Sequence, residues 1–470
     1  MYYRLREPYC FRGWKLLPYA IRCEFGEKMF EKPYFFDKET FLLLLCCNGT
    51  ENIELENFSK KINKIFQELL NNSILESFKY STEPLKPYQR YHIFNSRFLE
   101  SVHWAITGKC NYKCRHCIVS APCYTEPEIS LRDCEKIIDK IAECGVRQVD
   151  ITGGEPLVRK DYERIFELLA KKRIFIGVLF TNAKLLDNSV LESLKKNGHK
   201  PAFQISFDGV GHHDWLRGIK GAEQEACRAF QLLKEKGYRC SVAMSLHREN
   251  YKSLRDTAIY LAKNGIKVLR VNAPQKLGMW SKNGENYSLS ENEIFKIYEE
   301  FIDDYFKYGM PIDVELDGYF SCKKGSTDYK IPYVHHADEN SDWQKINYCE
   351  SAHYNAFIDP TGRVMPCMGF SSTSLSNKFP NILENEVGEI TLNSYYSKLI
   401  NTKVSDLLEK NISCRNCKYL PKCCGGCMLE SIKDDGDYLI PDERCCYFHK
   451  HIGEEKIRKI ADKAIKAYVS

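Results

Sequence analysis

Three closely spaced cysteines are the first indication of chemistry in this sequence. Cys110, Cys114 and Cys117 follow the pattern C-x3-C-x2-C within a single short segment. Each of three such thiolates can bind one iron of a [4Fe–4S] cluster, which leaves the fourth iron without a protein ligand. A structural zinc site requires four ligands, and here only His116 could join the cysteines. The spacing therefore favours a cluster with one open iron over zinc or buried thiols.

The cysteine content of the whole chain points to the same chemistry. Of 470 residues, 22 are cysteine, and many of them lie in short, spaced groups. The N-terminus, from Met1 to Arg4, lacks the basic-then-apolar order of a signal peptide, so we expect a cytoplasmic protein with reduced thiols. Under those conditions metal ligation explains the grouped cysteines better than a disulfide framework does.

A glycine-rich turn forms the second candidate site. Gly153, Gly154, Glu155 and Pro156 directly follow the apolar run 148–152. Glycines allow the backbone to approach a ligand closely, and a carboxylate can hold an ammonium group. Taken alone, the same residues could form a tight turn with a surface glutamate.

The elements that must position these residues alternate along the chain between 96 and 308. Amphipathic segments separate six apolar runs, at residues 102–107, 148–152, 175–181, 203–207, 240–246 and 268–272. This rhythm predicts an α/β fold in which a parallel sheet curls into a partial (β/α)6, TIM-like barrel. Active sites of such barrels lie at the C-terminal ends of the strands. The cysteine loop, the glycine turn, Asn182, Ser206 and Asp208 all follow or end these runs.

The cysteine loop with the barrel behind it resembles the radical S-adenosylmethionine (SAM) superfamily, over residues 100 to 275. The resemblance implies that the cluster reduces SAM to a 5′-deoxyadenosyl radical, which abstracts hydrogen from a substrate. It also implies that the segment from Gly153 to Pro156 binds the amino group of SAM. His116 stands where the family usually has an aromatic residue, and its ring is expected beside the adenine.

The same resemblance assigns polar groups at later strand ends to the ribose hydroxyls of SAM. Ser206 is the preferred candidate, and Asn182 and Asp208 are the others. Asp208 could equally cap the turn before Gly209.

A second cysteine group occupies residues 346 to 450. Its central run, C-x2-C-x5-C-x3-C from Cys414 to Cys427, could by itself be a four-thiolate zinc knuckle. The whole series resembles the SPASM extension, which carries two auxiliary [4Fe–4S] clusters, so three clusters are expected in total. The resemblance implies that the first auxiliary cluster is bound by Cys349, Cys367 and Cys427. It implies that the second is bound by Cys414, Cys417, Cys423 and Cys445, with Cys446 as an alternative to Cys445.

Cys322 has three interpretations. The first auxiliary cluster has only three assigned ligands, and Cys322 is the nearest cysteine upstream of Cys349. It could therefore be the fourth ligand. It could instead return hydrogen to a substrate radical as a catalytic residue, or be a buried small hydrophobe.

The remaining segments complete the predicted domain organisation. Residues 1–95 show short strand-like runs and then a helical pattern, and they resemble the winged-helix-like peptide-recognition domain of ribosomal-peptide pathways. That resemblance implies a strand edge to which a leader peptide adds; the alternative is a structural cap. Residues 309–345 are predicted to bridge the barrel to the SPASM domain at 346–450, and residues 451–470 to form a final helix.

SPASM enzymes act mostly on peptides, so the resemblance implies a maturase of a ribosomally made precursor peptide. A thioether crosslink is the first expectation and a carbon–carbon crosslink the second, with a flavodoxin- or ferredoxin-type electron donor as partner. A formylglycine-generating, sulfatase-maturing enzyme is an alternative, but that group has Asp where this chain has Met368. Peptide epimerisation is another, and an electron carrier would leave the Gly153–Pro156 segment unexplained.

Charge and hydropathy exclude two classes of partner. The net charge of +5, from 68 basic and 63 acidic residues, comes with no basic run of the kind a nucleic-acid groove requires. No apolar stretch approaches the length of a membrane helix. We therefore expect neither a nucleic acid nor a membrane as partner.

Overall fold

The computed structural model describes residues 1–335, 342–432 and 436–469. Its centre is a sheet of seven parallel strands whose connections contain helices. The strands are β8 (Ser101–Ala105), β9 (Gln148–Thr152), β10 (Phe175–Thr181), β11 (Ala202–Ser206), β12 (Cys240–Ser245), β13 (Val268–Asn272) and β14 (Asp313–Leu316). The predicted α/β barrel is confirmed, and its six apolar runs form β8 to β13.

Helices cover the outer face of this sheet. They are α3 (Leu131–Glu143), α4 (Tyr162–Lys171), α5 (Asn188–Lys196), α6 (His213–Arg217), α7 (Ala222–Glu235), α8 (Leu254–Lys263), α9 (Trp280–Asn283) and α10 (Glu291–Lys307). In α3, Ser130 caps the first turn by accepting from the Asp133 amide, and Cys134, Ile137 and Ile141 are buried at helical spacing. The helices thus bury one face and leave the strand ends free to carry the site.

The sheet extends beyond the predicted barrel on both sides. β14 continues it in parallel past residue 308, so part of the segment predicted as a bridge belongs to the barrel. An antiparallel hairpin, β15 (Phe320–Cys322) and β16 (Tyr329–Lys330), follows β14. At the opposite edge β17 (Asn355–Ile358) pairs in parallel with β8 and antiparallel with β18 (Val364–Met365). The C-terminal segment is therefore built onto the barrel sheet itself.

The N-terminal domain contains two small sheets and two helices. Its elements are β1 (Tyr2–Leu5), β2 (Tyr9–Trp14), β3 (Leu17–Cys23), β4 (Tyr34–Phe35), α1 (Lys38–Leu45), β5 (Asn48–Asn52), α2 (Lys60–Asn71), β6 (Leu75–Phe78) and β7 (His92–Phe94). The sheet orders are β5-β1-β6 and β4-β3-β2-β7. A core separate from that of the barrel, with Phe11, Phe41 and Phe66 fully buried, supports the predicted division of the chain.

The C-terminal region consists of short helices and loops. Its helices are α11 (Glu350–Tyr354), α12 (Val387–Asn393), α13 (Tyr395–Ile400), α14 (Val404–Lys410), α15 (Ile412–Arg415), α16 (Leu420–Cys423), α17 (Glu443–Tyr447) and α18 (Glu454–Val469). The last of these is the predicted C-terminal helix, and it packs on α10. Within the described ranges, no helix has the length and apolar character needed to cross a membrane.

Candidate functional site

A cavity of about 560 Å³ lies at the C-terminal ends of the barrel strands. The sequence-predicted residues that line it are Cys110, Cys114, His116, Cys117, Gly153, Gly154, Glu155, Asn182 and Ser206. The ends of four strands, β8 to β11, bring them together although they span almost a hundred positions of the chain. This is the edge at which parallel barrels place their chemistry.

The cysteine loop follows β8, and N–H donors approach its three thiols. Backbone amides lie 3.4 Å from the Cys110 Sγ (Tyr112) and 3.2 Å from the Cys117 Sγ (Ala121). Arg217 Nη1 lies 3.8 Å from the Cys114 Sγ. Hydrogen bonds to sulfur stabilise the thiolate form, which is the form that ligates iron.

The glycine turn packs tightly against this loop. A Cβ on Gly154 would lie 2.3 Å from the carbonyl oxygen of Lys109, and one on Gly153 would lie 2.4 Å from that of Thr107. The Gly154 amide donates to the Thr107 carbonyl at 2.9 Å, and the Glu155 amide donates to the Lys109 carbonyl at 2.9 Å. Side chains are excluded at both glycines because the two backbones must touch.

Glu155 is buried, with 1% of its surface exposed. Its carboxylate accepts from Thr181 Oγ1 at 2.9 Å, from the Asn182 amide at 2.7 Å and from the Leu157 amide at 3.2 Å. Burial raises the pKa of Glu155 to about 7. An ionised carboxylate can accept about four hydrogen bonds, so it retains capacity for one more donor from the cavity.

Asn182 and Ser206 line the cavity in different ways. The Asn182 side chain donates to Asn111 Oδ1 at 2.7 Å and lies 3.9 Å from the Cys110 Sγ, so it is turned towards the cysteine loop. Ser206 ends β11 and faces the cavity together with Gln204 and Ser245. Of the predicted ribose contacts, Ser206 has the more open position.

Asp208 does not reach the cavity. It is fully buried, and its carboxylate accepts from Arg217 Nε at 2.7 Å and from the Ser245 amide at 3.0 Å, with His213 Nδ1 also at 3.0 Å. Arg217, on α6, lines the cavity in its place. The ribose interpretation of Asp208 is therefore not supported, since its oxygens are engaged in holding Arg217.

His116 lies in the cavity wall and is neutral. Burial, and then the charge of Arg217, lower the pKa of His116 to about 3. Its Nδ1 is buried and has no hydrogen-bond partner among the described residues. An uncharged ring with one unused polar atom suits contact with a heteroaromatic base such as adenine.

These observations fit the cofactors that the sequence predicts. Three thiols with N–H donors suit a four-iron cluster, and the buried Glu155 oxygens suit the amino group of SAM. Among the described residues no three His, Cys, Asp or Glu side chains converge on a single metal-ion site. The fit to a cluster rests instead on grouped thiols, because each thiolate of a four-iron cluster binds a different iron.

Burial raises the pKa values of Cys367, Cys427 and Cys414 in the second cysteine group. Beyond burial, Cys349 raises the pKa of Cys367, Cys367 raises that of Cys427, and Cys423 and Cys417 raise that of Cys414. The division of these cysteines between two clusters stays a prediction. A hydrogen bond from Cys445 lowers the pKa of Cys423 to about 7. Cys445 is thus in direct contact with its proposed group, while Cys446 is coupled to Cys423 and Cys414 without such a contact.

Asp442 joins the two groups and was not among the residues predicted from the sequence. Its carboxylate accepts from the Cys427 amide at 3.0 Å and from the Cys445 amide at 3.1 Å, and 1% of its surface is exposed. It caps α17, which sequence inspection could have found as an Asp preceding a short helix. One buried carboxylate therefore fixes a cysteine from each group.

Cys322 lies apart from both sites. Its thiol, on β15, donates to the carbonyls of Ser326 at 3.4 Å and Lys323 at 3.5 Å within its own hairpin. Burial raises the pKa of the Cys322 thiol. It neither lines the cavity nor contributes to the pKa shifts of Cys349, Cys367 and Cys427. The placement supports the packing interpretation over the ligand and the hydrogen donor.

The far wall of the cavity contains residues that sequence reasoning missed. Arg444, adjacent to Cys445, pairs with Asp317 at 2.5 Å and with Glu291 at 3.0 Å. Arg444 and Asp317 both line the cavity, as does Met368, next to Cys367. The cavity is thus enclosed between the barrel loop and the second cysteine group.

Two protein-family models match the chain. The radical SAM superfamily model matches residues 104–261, and the SPASM iron–sulfur cluster-binding domain model matches residues 349–418. The first range contains the cysteine loop and the glycine turn, and the second contains the first four cysteines of the C-terminal group.

Relatives with different activities resemble the chain. The antilisterial bacteriocin subtilosin biosynthesis protein AlbA of Bacillus subtilis is 29% identical over 60% of this chain and 57% of its own length. The alignment thus spans little more than half of that relative. A PqqA peptide cyclase of Granulibacter bethesdensis is 24% identical over 76% of this chain and 90% of its own. An AdoMet-dependent heme synthase of Nitratidesulfovibrio vulgaris is 24% identical over 74% and 92%.

Solved structures share the fold. Streptococcus suis SuiB bound to precursor peptide SuiA aligns with a TM-score of 0.64 and 17% identity, covering 94% of this chain and 99% of that one. The protein anSMEcpe with bound AdoMet aligns with a TM-score of 0.57 and 19% identity, covering 79% of this chain and 99% of that one. At these identities the likeness is one of architecture, and the 94% coverage includes most of the N-terminal domain. The matched models, the cysteine loop and the glycine turn together show that the chain contains a radical SAM domain over residues 104–261 and a SPASM domain over residues 349–418.

Proposed function

We propose that the chain is a radical SAM peptide maturase that crosslinks a ribosomally made precursor peptide. The observation that supports this proposal most directly is the position of the cavity. The predicted cluster loop lies on one wall, and Met368, next to Cys367, lies on another. A substrate held there would lie between the radical source and an auxiliary cluster. The peptide-modifying relatives AlbA and PqqA cyclase favour a peptide substrate.

The cavity residues would have separate roles. When bound, the reduced cluster and SAM supply a carbon radical that removes hydrogen from the substrate. Cys110, Cys114 and Cys117 would hold the cluster, Glu155 would accept from the amino group of SAM, and Ser206 would contact its ribose. Arg444 and Asp317 would orient the substrate at the opposite wall.

We infer that the N-terminal domain binds the leader of the precursor. Its three-stranded sheet ends at β6, which pairs only with β1 in the described structure. The other edge strand, β5, is partly covered by an amide hydrogen bond from Thr82 to the Gly49 carbonyl at 2.7 Å. The outer edge of β6 therefore has room for an added peptide strand.

A thioether is the preferred product and a carbon–carbon crosslink the second. Auxiliary clusters at Cys349–Cys367–Cys427 and at Cys414–Cys417–Cys423–Cys445 would take the electron released as the bond closes. Cleavage of SAM would consume one electron, so a flavodoxin- or ferredoxin-type protein is the proposed electron donor. The substrate would lose one hydrogen atom to the 5′-deoxyadenosyl radical, and a proton and an electron as the bond closes. The sulfatase-maturing alternative is disfavoured because Met368 lines the cavity and cannot accept a proton. Epimerisation is disfavoured because Cys322 lies elsewhere.

Product analysis tests this proposal. Reduced, reconstituted protein is incubated with SAM and peptides encoded beside its gene, and 5′-deoxyadenosine and peptide mass are measured. Either crosslink removes two hydrogens, and only a thioether also blocks alkylation of the cysteine. An epimer keeps its mass and gains deuterium from heavy water, whereas formylglycine reacts as an aldehyde. Formation of 5′-deoxyadenosine with tetrapyrrole but not with any peptide would contradict the proposal.

A further inference from the structure

A second, smaller cavity lies between the N-terminal domain and the barrel, away from all cysteine groups. Its volume is about 220 Å³, and its walls come from both units. Arg22 on β3 and Lys32 belong to the N-terminal domain, whereas Arg147 and Gln148 belong to the barrel, at the start of β9. The cavity therefore spans an interface between two parts of the chain with separate cores.

Arg22 is a buried cation that no carboxylate contacts directly, and Glu24 acts on it only from a longer distance. Only 6% of its surface is exposed, and its Nε is buried and makes no hydrogen bond among the described residues. No ion pair or side-chain hydrogen bond joins its guanidinium to any described residue. Its ordered contact is with the ring of Trp14, 5.9 Å from the guanidinium carbon.

Arg147 brings a second guanidinium to the same place. Its Nη2 donates to Glu24 at 2.7 Å, but its Nε is also buried without a partner. Arg12, nearby, is bonded to the carbonyls of Tyr88 and Phe11. One carboxylate, Glu24, thus faces two buried guanidinium groups.

The other acidic residues at the cavity are paired or exposed. Glu100 pairs with Lys32 at 2.6 Å on the rim, and the Glu31 side chain is exposed to solvent. Neither is left to neutralise Arg22. Burial, and then the like charge of Arg147, lower the pKa of Arg22 to about 9, so the group is still protonated at neutral pH.

Burying an unpaired charge is unfavourable unless an opposite charge joins it. The guanidinium fork matches the two oxygens of a carboxylate or phosphate, and two such forks at one cavity suit an oxyanion. We propose that this cavity is an anion-binding site in which Arg22 and Arg147 hold a carboxylate or phosphate group between the N-terminal domain and the barrel. Bound anion would link the two units through one guanidinium from each.

The test measures thermal unfolding of the full-length protein in sodium phosphate, sodium acetate and sodium chloride at equal ionic strength. A ligand that binds only the folded state raises the Tm, and we expect a rise of about 2 °C or more in phosphate or acetate over chloride. Acetate stands for a peptide carboxylate and phosphate for a free or attached phosphate, so the more effective salt identifies the source.

Arg22→Met separates binding from structural support. Met fits an apolar site beside Trp14 and removes the buried charge, so this variant should be at least as stable as wild type in chloride and should lose the anion effect. Arg132→Met, at an exposed position of α3, is the matched control and should keep the effect. Hydrogen exchange of segments 20–34 and 145–149 should slow in the stabilising anion.

Two results would overturn the proposal. One is a wild-type Tm that is the same in all three salts. The other is an Arg22→Met variant that is destabilised in chloride, because that would mean Arg22 already has its stabilising partners in the protein. Neither measurement requires clusters, SAM or peptide, so failure here would leave the proposed maturase function unaffected.

Discussion

The two cysteine regions of this chain are held by different kinds of structure. In the barrel loop, side chains from distant positions add to the local amides: Asn182 approaches Cys110, and Arg217 approaches Cys114. In the C-terminal group, the amides near the thiols are local, such as that of Gly425 at 3.5 Å from the Cys423 Sγ. Asp442 then ties Cys427 to Cys445.

This difference suits different tasks. A cluster with an open iron must be aligned with a cavity, so its loop is fixed by side chains from the strand ends that form that cavity. The proposed auxiliary clusters need only a stable shell, and short helices with local caps provide it. Mutations in one cysteine region should therefore leave the cluster binding of the other region intact.

The largest effect is expected from removing the barrel cysteines. Changing Cys110, Cys114 and Cys117 together to Ala should abolish SAM cleavage and lower the iron content from about twelve to about eight. Changing Cys414, Cys417, Cys423 and Cys445 should remove a similar amount of iron but leave cleavage intact. Iron analysis and 5′-deoxyadenosine assays check both. A wild-type content near four irons would refute the auxiliary clusters.

Deleting residues 1–90 tests whether a third region acts independently. The N-terminal core is separate from that of the barrel, so the truncated enzyme should still cleave SAM. It should no longer modify the full-length precursor, because the leader has lost its binding edge. Normal modification by the truncated enzyme would make the domain a structural cap.

Glu155 gives the barrel site a pH dependence that the C-terminal group should lack. Its carboxylate must be ionised to accept from the amino group of SAM, and burial raises its pKa to about 7. Affinity for SAM should therefore fall as pH drops from 8 to 6, by up to about tenfold per unit below the pKa. Calorimetric titration measures it. The Glu155→Gln variant should bind SAM weakly at both pH values. If its SAM affinity still changed with pH as in the wild type, Glu155 would not be the group responsible for the pH dependence.

Asp208→Asn tests the long-range support of the cysteine loop. Without the buried carboxylate, Arg217 loses its 2.7 Å partner and its alignment with Cys114. The cluster whose signal changes on SAM addition should become harder to reduce. A tenfold fall in its reduced-to-oxidised ratio corresponds to a reduction potential lower by about 59 mV. The auxiliary signals should stay fixed. Asp133→Asn, at the start of α3, is the control. An equal shift of the potential in that variant would show that Asp208 does not support the cysteine loop specifically.

The sequence predicts those parts of the site that depend on local order. Six strands, the cysteine loop and the glycine turn follow from periodicity and from residues within a few positions of one another. The sequence left Asp208 open between a ribose contact and a turn cap, because its partner Arg217 lies on a separate helix and no local pattern shows which way the carboxylate turns. Arg444 and Asp317 meet across 127 positions, and such contacts depend on how the C-terminal region docks.

The smallest effect is expected from Cys322→Ala. Its thiol is 3% exposed and bonds carbonyls of its own hairpin, so the substitution should cost about 1 kcal/mol of stability and leave iron content and product unchanged. Cys240→Ala, at a thiol 5% exposed on β12, should behave alike. Iron analysis, product yield, deuterium incorporation and Tm are measured together. Loss of an auxiliary cluster in the Cys322 variant but not in the Cys240 variant would show that Cys322 is a cluster ligand. A stalled peptide radical in a Cys322 variant with full iron content would show that Cys322 is the hydrogen donor. With iron and product both normal, the first auxiliary cluster keeps three protein ligands and one iron that faces the substrate.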